Sequence, residues 1–221
     1  MKKGLILLLI SCFGLLSAQT YCNGESVSMT HQMQEFDVCY SSDGYSTSDA
    51  WSLADYNGDL NGGSYHVLFI DMSATWWSTC YSQISFIDNQ EEYWSEQNPA
   101  VKFITALQDL NQPYSCTQWG NNGNSGTPVI VEHDGTIFNW FHDSWNAYPS
   151  YVLIDHTMTV RAKPWSYQSN SNTSSCDGSN SSVSGWSGGN TNNFLQQLVD
   201  ECGDLCSGEI CSTCSGDVNE D

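Results

Sequence analysis

Val67-Leu68-Phe69-Ile70-Asp71-Met72-Ser73-Ala74-Thr75-Trp76-Trp77-Ser78-Thr79-Cys80 is the stretch from which the fold can be read. His66 to Met72 is an apolar run of the length expected for a buried central strand. Past Cys80 the period changes: Cys80, Ile84, Ile87 and Tyr93 recur at helical spacing, which predicts a helix with the cysteine near its start. A helix N-terminus favours negative charge and so lowers the pKa of a thiol placed there.

Working outward, Phe36 to Tyr40, a turn at Ser42-Asp43-Gly44, and Trp51-Ser52-Leu53 predict a short N-terminal hairpin. Val101 to Leu107 is the next strand. Extended segments are expected at Thr127 to Val131 and, after the turn His133-Asp134-Gly135, at Thr136-Ile137-Phe138. Tyr151 to Asp155 then leads through a turn into Thr159 to Ala162. Asn193 to Cys202 places Phe194, Leu195, Leu198, Val199 and Cys202 on one face of an amphipathic helix. Alternating strands and helices followed by a late hairpin make an α/β chain, a mixed central sheet flanked by helices.

The termini read differently. Lys2 and Lys3, the apolar run Leu5 to Ile10 and the small residues ending Ser17-Ala18-Gln19 have the layout of a secretory signal peptide, residues 1–19. A rival reading, lipidation at Cys12 after Leu9-Ile10-Ser11, conflicts with the apolar Phe13 to Leu16 that would follow. The expected location is extracytoplasmic, periplasmic or secreted. One domain then spans residues 20–202, interrupted at 166–192 by a Ser-, Asn- and Gly-rich insertion, and 203–221 form a Cys-rich acidic tail.

The formal net charge is −20, and removal of Lys2 and Lys3 takes it to −20 − 2 = −22, with Lys102, Arg161 and Lys163 as the remaining strong cations. Nucleic acid and anionic membrane surfaces are poor partners for such a field. Export favours disulfides, yet 10 cysteines less Cys12 leave 9, an odd number, so at least one is free, modified or bonded to another molecule. Cys80 is the candidate, and the order of the others leaves their connectivity open.

Ala74-Thr75-Trp76 with Cys80, Tyr148-Pro149-Ser150 before Tyr151 to Asp155, and Asp71 six residues ahead of position 77 together resemble the redoxin branch of the thioredoxin superfamily. That group includes alkyl hydroperoxide reductase and thiol-specific antioxidant proteins and envelope thiol-disulfide interchange proteins. The resemblance runs from about Phe36 to Trp165 plus the last helix. It implies a thioredoxin-like fold, a cis bond before Pro149, and a buried Asp71 beneath the cysteine, with a raised pKa. It also implies the W-C-x-x-C turn, whose first cysteine is here replaced by Trp77.

Carried onto this chain, the resemblance makes Cys80, Asp71 and Pro149 the catalytic set and Trp76, Trp77 and Tyr148 the substrate contacts. The implied partners are protein thiols or disulfides, or peroxide, with no cofactor and no metal. Peroxiredoxins place their reactive cysteine at the equivalent of Cys80, but with threonine at the equivalent of Trp77 and an arginine beside the thiolate. Further thiol partners would be Cys116 and the C-x-x-C at Cys211-Ser212-Thr213-Cys214. The competing expectation is a redox-inactive binding module that holds extended peptide beside Trp76, Trp77 and Pro149.

Overall fold

All eight residues of the strand Val67–Ala74 are buried, as expected where both edges are paired and both faces covered. The computed structural model describes residues 20–123, 129–132, 134–168, 172–173 and 190–207. In chain order they form α1 (Met29–Gln32), the hairpin strands β1 (Phe36–Tyr40) and β2 (Ala50–Trp51), a 3-10 turn at Leu53–Tyr56, and α2 (Gly58–Asn61). The central unit follows as β3 (Val67–Ala74), α3 (Ser78–Gln97) and β4 (Val101–Gln108). Then come α4 (Cys116–Gly120), β5 (Val129–Glu132), α5 (Thr136–Phe141), β6 (Ser150–Ile154), β7 (Val160–Pro164), β8 (Asn172–Thr173) and α6 (Thr191–Cys202).

The strands make one mixed sheet in the order β2-β1-β5-β4-β3-β6-β7-β8. β3 pairs in parallel with β4 and antiparallel with β6, and β4 pairs in parallel with β5. Parallel neighbours need a crossover, which α3 supplies between β3 and β4. The expected N-terminal hairpin is present, with Phe36 opposite Trp51 and Asp37 opposite Ala50.

Alternation along β3 sorts its side chains between two cores. Leu68, Ile70 and Met72 pack with Ile137, Phe138, Trp140 and Phe141 of α5. Val67 and Phe69 pack with Ile87 and Trp94 of α3 and with Phe194, Leu195, Leu198 and Val199 of α6. By the same alternation Asp71 and Ser73 point to the α3 side, into the core rather than toward water. A third cluster, Cys80 with Ile84, Leu107 and Trp119, closes the end of β4.

Two local expectations change. Thr136-Ile137-Phe138 opens a helix: Gly135 takes φ +65 at the N-cap, and a 3.6-residue period buries Ile137, Phe138, Trp140 and Phe141 together. On α3, Tyr93 is exposed and its neighbour Trp94 is buried, because Trp94 continues the Cys80, Ile84, Ile87 stripe. Most of the 166–192 insertion and all of the tail beyond Ser207 lie outside the described residues.

Cys39 of β1 is bonded to Cys116 at the start of α4, and Cys202 to Cys206 at the end of α6. Cys22 is also disulfide-bonded. Cys80 is the free cysteine among the described residues.

Candidate functional site

The chain leaves β3 through Thr75-Trp76-Trp77, and every step of that turn is held. Thr75 N–H donates to Gln108 O at 3.1 Å, and Trp77 N–H to Ala74 O at 3.1 Å. The Thr75 hydroxyl donates to Asp109 O, and Trp76 Nε1 donates to Asp109 Oδ2 at 2.7 Å. These bonds seat the turn on the C-terminal end of β4. Trp76 presents its ring edge-on to Trp77 and to Tyr148, with centroids 5.7 and 6.1 Å apart.

Trp77 is the N-cap of α3, yet its side chain accepts nothing there. Serine or aspartate at that position would stabilise the helix by about 1 kcal/mol relative to a residue that cannot cap. The ring instead stands 43% exposed beside a groove.

The opposite wall begins at the Tyr148-Pro149 bond, which is cis. Tyr148 packs its ring on Phe138 at 4.2 Å and donates its hydroxyl to Gln108 Oε1. Met72 faces Ser150 across the β3–β6 pair, so Pro149 falls at the level of Ser73. The groove between these walls has a volume of about 510 Å³. Trp77, Thr79, Gln83 and Phe86 line one side, Ala147 to Pro149 the second, and Trp165 to Gln168 the third, with Tyr151 also on the wall. Among the described residues no sulfur and no charged side chain lines it.

Cys80 is one turn into α3 and fully buried among Ile84, Leu107 and Trp119. Burial, and then the Asp71 carboxylate, push its thiol up to about 12, against the opposing hydrogen bonds from Ala74 and Ser73. Asp71 is 3% exposed, and both its oxygens accept from the single Ser73 hydroxyl, at 2.9 and 3.0 Å. Burial raises its carboxyl to about 7; the Ser73 hydrogen bond pulls it down and nearby Asp88 pushes it further up. The buried Asp71 thus acquires the raised pKa that the resemblance implied. At neutral pH the surroundings hold the thiol protonated, because the helix effect acts through one turn while desolvation acts on all sides.

The structure therefore groups the six sequence-derived residues into two layers. Trp76, Trp77, Tyr148 and Pro149 form the groove and its rim, and Cys80 and Asp71 lie beneath. Trp165, Tyr167, Phe86 and Gln83 are groove residues that sequence reasoning missed. The one signal for the first two is aromatic alternation at Trp165-Ser166-Tyr167 directly after a strand.

Cys116 and Arg161 lie elsewhere. Cys116 is held by Cys39. Arg161 ion-pairs with Asp155 and Glu201 at 2.9 and 2.7 Å, near Val160, which pairs with Ile154, which in turn pairs with Leu68 at the far end of β3. The tail cysteines Cys211 and Cys214 lie outside the described residues.

No family model matches the chain, and no curated protein matches it. Solved structures with similar folds include a secreted disulfide oxidoreductase of Mycobacterium tuberculosis, 13% identical, covering 60% of this chain and 84% of its own, with TM-score 0.42. An exposed lipoprotein thioredoxin of Streptococcus pneumoniae is 15% identical, covering 76% and 98%, with TM-score 0.44. A thiol:disulfide interchange protein of the thioredoxin family from Chlorobium tepidum is 15% identical, covering 68% and 88%, with TM-score 0.45. The order β3-α3-β4, then β6-β7-α6, around a mixed sheet with a cis-proline opening β6, makes this chain a protein of thioredoxin-like fold.

Proposed function

We propose that this is an exported thioredoxin-fold protein of the redoxin branch that holds an extended polypeptide segment in the groove beside cis-Pro149, without thiol turnover in its resting form. One observation carries this reading: the aromatic groove is open, while the Cys80 sulfur is buried beneath its wall and no sulfur lines the groove among the described residues. Thioredoxin-like sites grip substrate backbone beside the cis-proline, so this groove suits an extended chain even with Trp77 in the nucleophile's place. Neutral side chains, Thr79, Gln83, Ser166 and Gln168, supply hydrogen-bonding groups between the rings.

The test is native-state thiol labelling followed by mass spectrometry. A thiol held near 12 is ionised to roughly one part in 10⁵ at pH 7, so Cys80 is expected to label about a thousandfold or more slower than an ordinary cysteine. Full labelling is expected once the chain is unfolded. Rapid labelling of the native protein would overturn the reading.

A second reading, thiol-disulfide exchange or peroxide reduction through Cys80, is favoured by a different observation. Cys80 is the free cysteine among the described residues and stands one helical turn from Trp77. Under that reading native labelling is fast and peroxide or a mixed disulfide consumes the thiol stoichiometrically.

A further inference from the structure

Every lysine and arginine of the chain after residue 19 is already engaged. Lys102 pairs with Asp43 at 2.9 Å. Arg161 pairs with Asp155 and Glu201. Lys163 is completely buried and donates to His142 O at 3.0 Å.

Their positions are as telling as their partners. Lys102 is opposite Leu68 in the β3–β4 register, and Arg161 follows Val160, which pairs with Ile154. Both partly exposed cations thus lie at the end of the sheet away from the groove. At the groove end, Asp109 holds Trp76 at the mouth, and among the described residues the groove lining contains no cation. The −22 formal charge of residues 20–221 therefore acts at the groove with only the buried Lys163, two residues before Trp165, as a nearby cation to offset it. One term opposes this, the partial positive charge at the start of α3, which amounts to about half an elementary charge and fades within the first turn.

The exposed tryptophans converge on the same place. Trp76, Trp77, Trp145 and Trp165 are 50, 43, 60 and 51% exposed, and every other tryptophan among the described residues is buried. Trp77 and Trp165 line the groove; Trp76 leans on Trp77, and Trp145 on Trp165 with centroids 5.0 Å apart. Tryptophan faces attract cations, arginine above all, through the ring quadrupole.

We propose that the groove takes an extended polypeptide segment bearing arginine or lysine beside apolar residues. The apolar side chains enter between Trp77 and Trp165, and the cationic ones lie over the exposed tryptophan faces. The proposal rests on the polypeptide-holding reading above and names the chemistry of the segment.

The experiment is fluorescence anisotropy of the mature full chain with three labelled eight-residue peptides, alternating leucine with arginine, serine or glutamate, at about 20 and about 300 mM NaCl. The arginine peptide is expected to bind at least tenfold more tightly than the serine peptide, and the glutamate peptide least tightly. The arginine advantage is expected to shrink severalfold at the higher salt. Trp165→Ala and Trp77→Ser are each expected to weaken the arginine peptide at least tenfold with the thermal midpoint kept; serine at 77 can cap α3. Equal or tighter binding of the serine or glutamate peptide would overturn the cation preference and leave the polypeptide groove standing. Binding of none of the three would overturn the polypeptide reading itself. Arginine-peptide binding that ignores both tryptophan variants would place it elsewhere on the acidic surface and also overturn the proposal.

Discussion

Trp77→Cys is expected to produce a thiol-disulfide oxidoreductase, with disulfide reduction in the presence of a dithiol rising on the order of a thousandfold over wild type. The reason is positional. Residue 77 is the N-cap of a 20-residue helix and 43% exposed at the groove mouth. A thiol there meets the unpaired N–H groups of α3, so it ionises near neutral pH, where the Cys80 thiol held at about 12 does not. The substitution would also set two cysteines at the spacing of a C-x-x-C turn, with Cys80 as the buried resolving partner and cis-Pro149 on the facing wall. Loss of the Trp77 ring is expected to raise the KM for peptide disulfides while kcat rises. The measurement is reduction of a protein disulfide with dithiothreitol as electron donor, paired with mass spectrometry for a bond between residues 77 and 80. If that bond forms and turnover stays at the wild-type level, the groove does not present a disulfide to position 77, and the polypeptide-holding reading loses its support.

Asp71→Asn is expected to raise stability by roughly 4 kcal/mol at pH 8 and to change it little at pH 4. Asp71 ionises near 3.8 in an unfolded chain and near 7 when folded. Between those values the folded protein binds the extra proton. The favourable contribution is therefore complete below about pH 4, declines as pH rises, and is gone above about pH 7. Each unit of that difference corresponds to about 1.4 kcal/mol. The groups acting on Asp71 are the Ser73 hydroxyl and Asp88 of α3, and the Asp71 carboxylate in turn raises Cys80 and Tyr151 of β6. Glu91, also raised to about 7, titrates in the same window but is present in both proteins and cancels in the difference. Lys163, lowered to about 7, contributes a slope of opposite sign above that window. Urea titrations of both proteins from pH 4 to pH 8 supply the comparison, and a difference that does not grow with pH would exclude a buried ionising Asp71.

The parts of the fold legible in the sequence are those that local pattern specifies. β3 announces itself as an unbroken apolar run, and the stripe Cys80, Ile84, Ile87 marks α3. Tyr148-Pro149 before an apolar strand marks the cis-proline corner, through resemblance rather than through periodicity. Thr136-Ile137-Phe138 misleads for the same reason: three β-branched or aromatic residues after an Asp-Gly pair suit a strand as well as a helix. Packing against Leu68, Ile70 and Met72 decides it, since only a helical period turns Ile137, Phe138, Trp140 and Phe141 to one side. Trp165 and Tyr167 carried no comparable local mark, because a groove wall is made of whatever the chain places there after leaving a strand.

By itself, then, the sequence determined the order of strands and helices around position 77, the acidic field and the tryptophan that stands three residues before Cys80. Each of these is a property of residue identity and spacing along the chain. The tertiary structure alone decided that Cys80 is buried and held protonated, that Trp165 faces Trp77 across an open groove, and that both partly exposed cations stand at the opposite end of the sheet. Desolvation and field are sums over atoms contributed by distant segments, Leu107 and Trp119 around the thiol, Asp155 and Glu201 around Arg161, and no spacing within one segment encodes them.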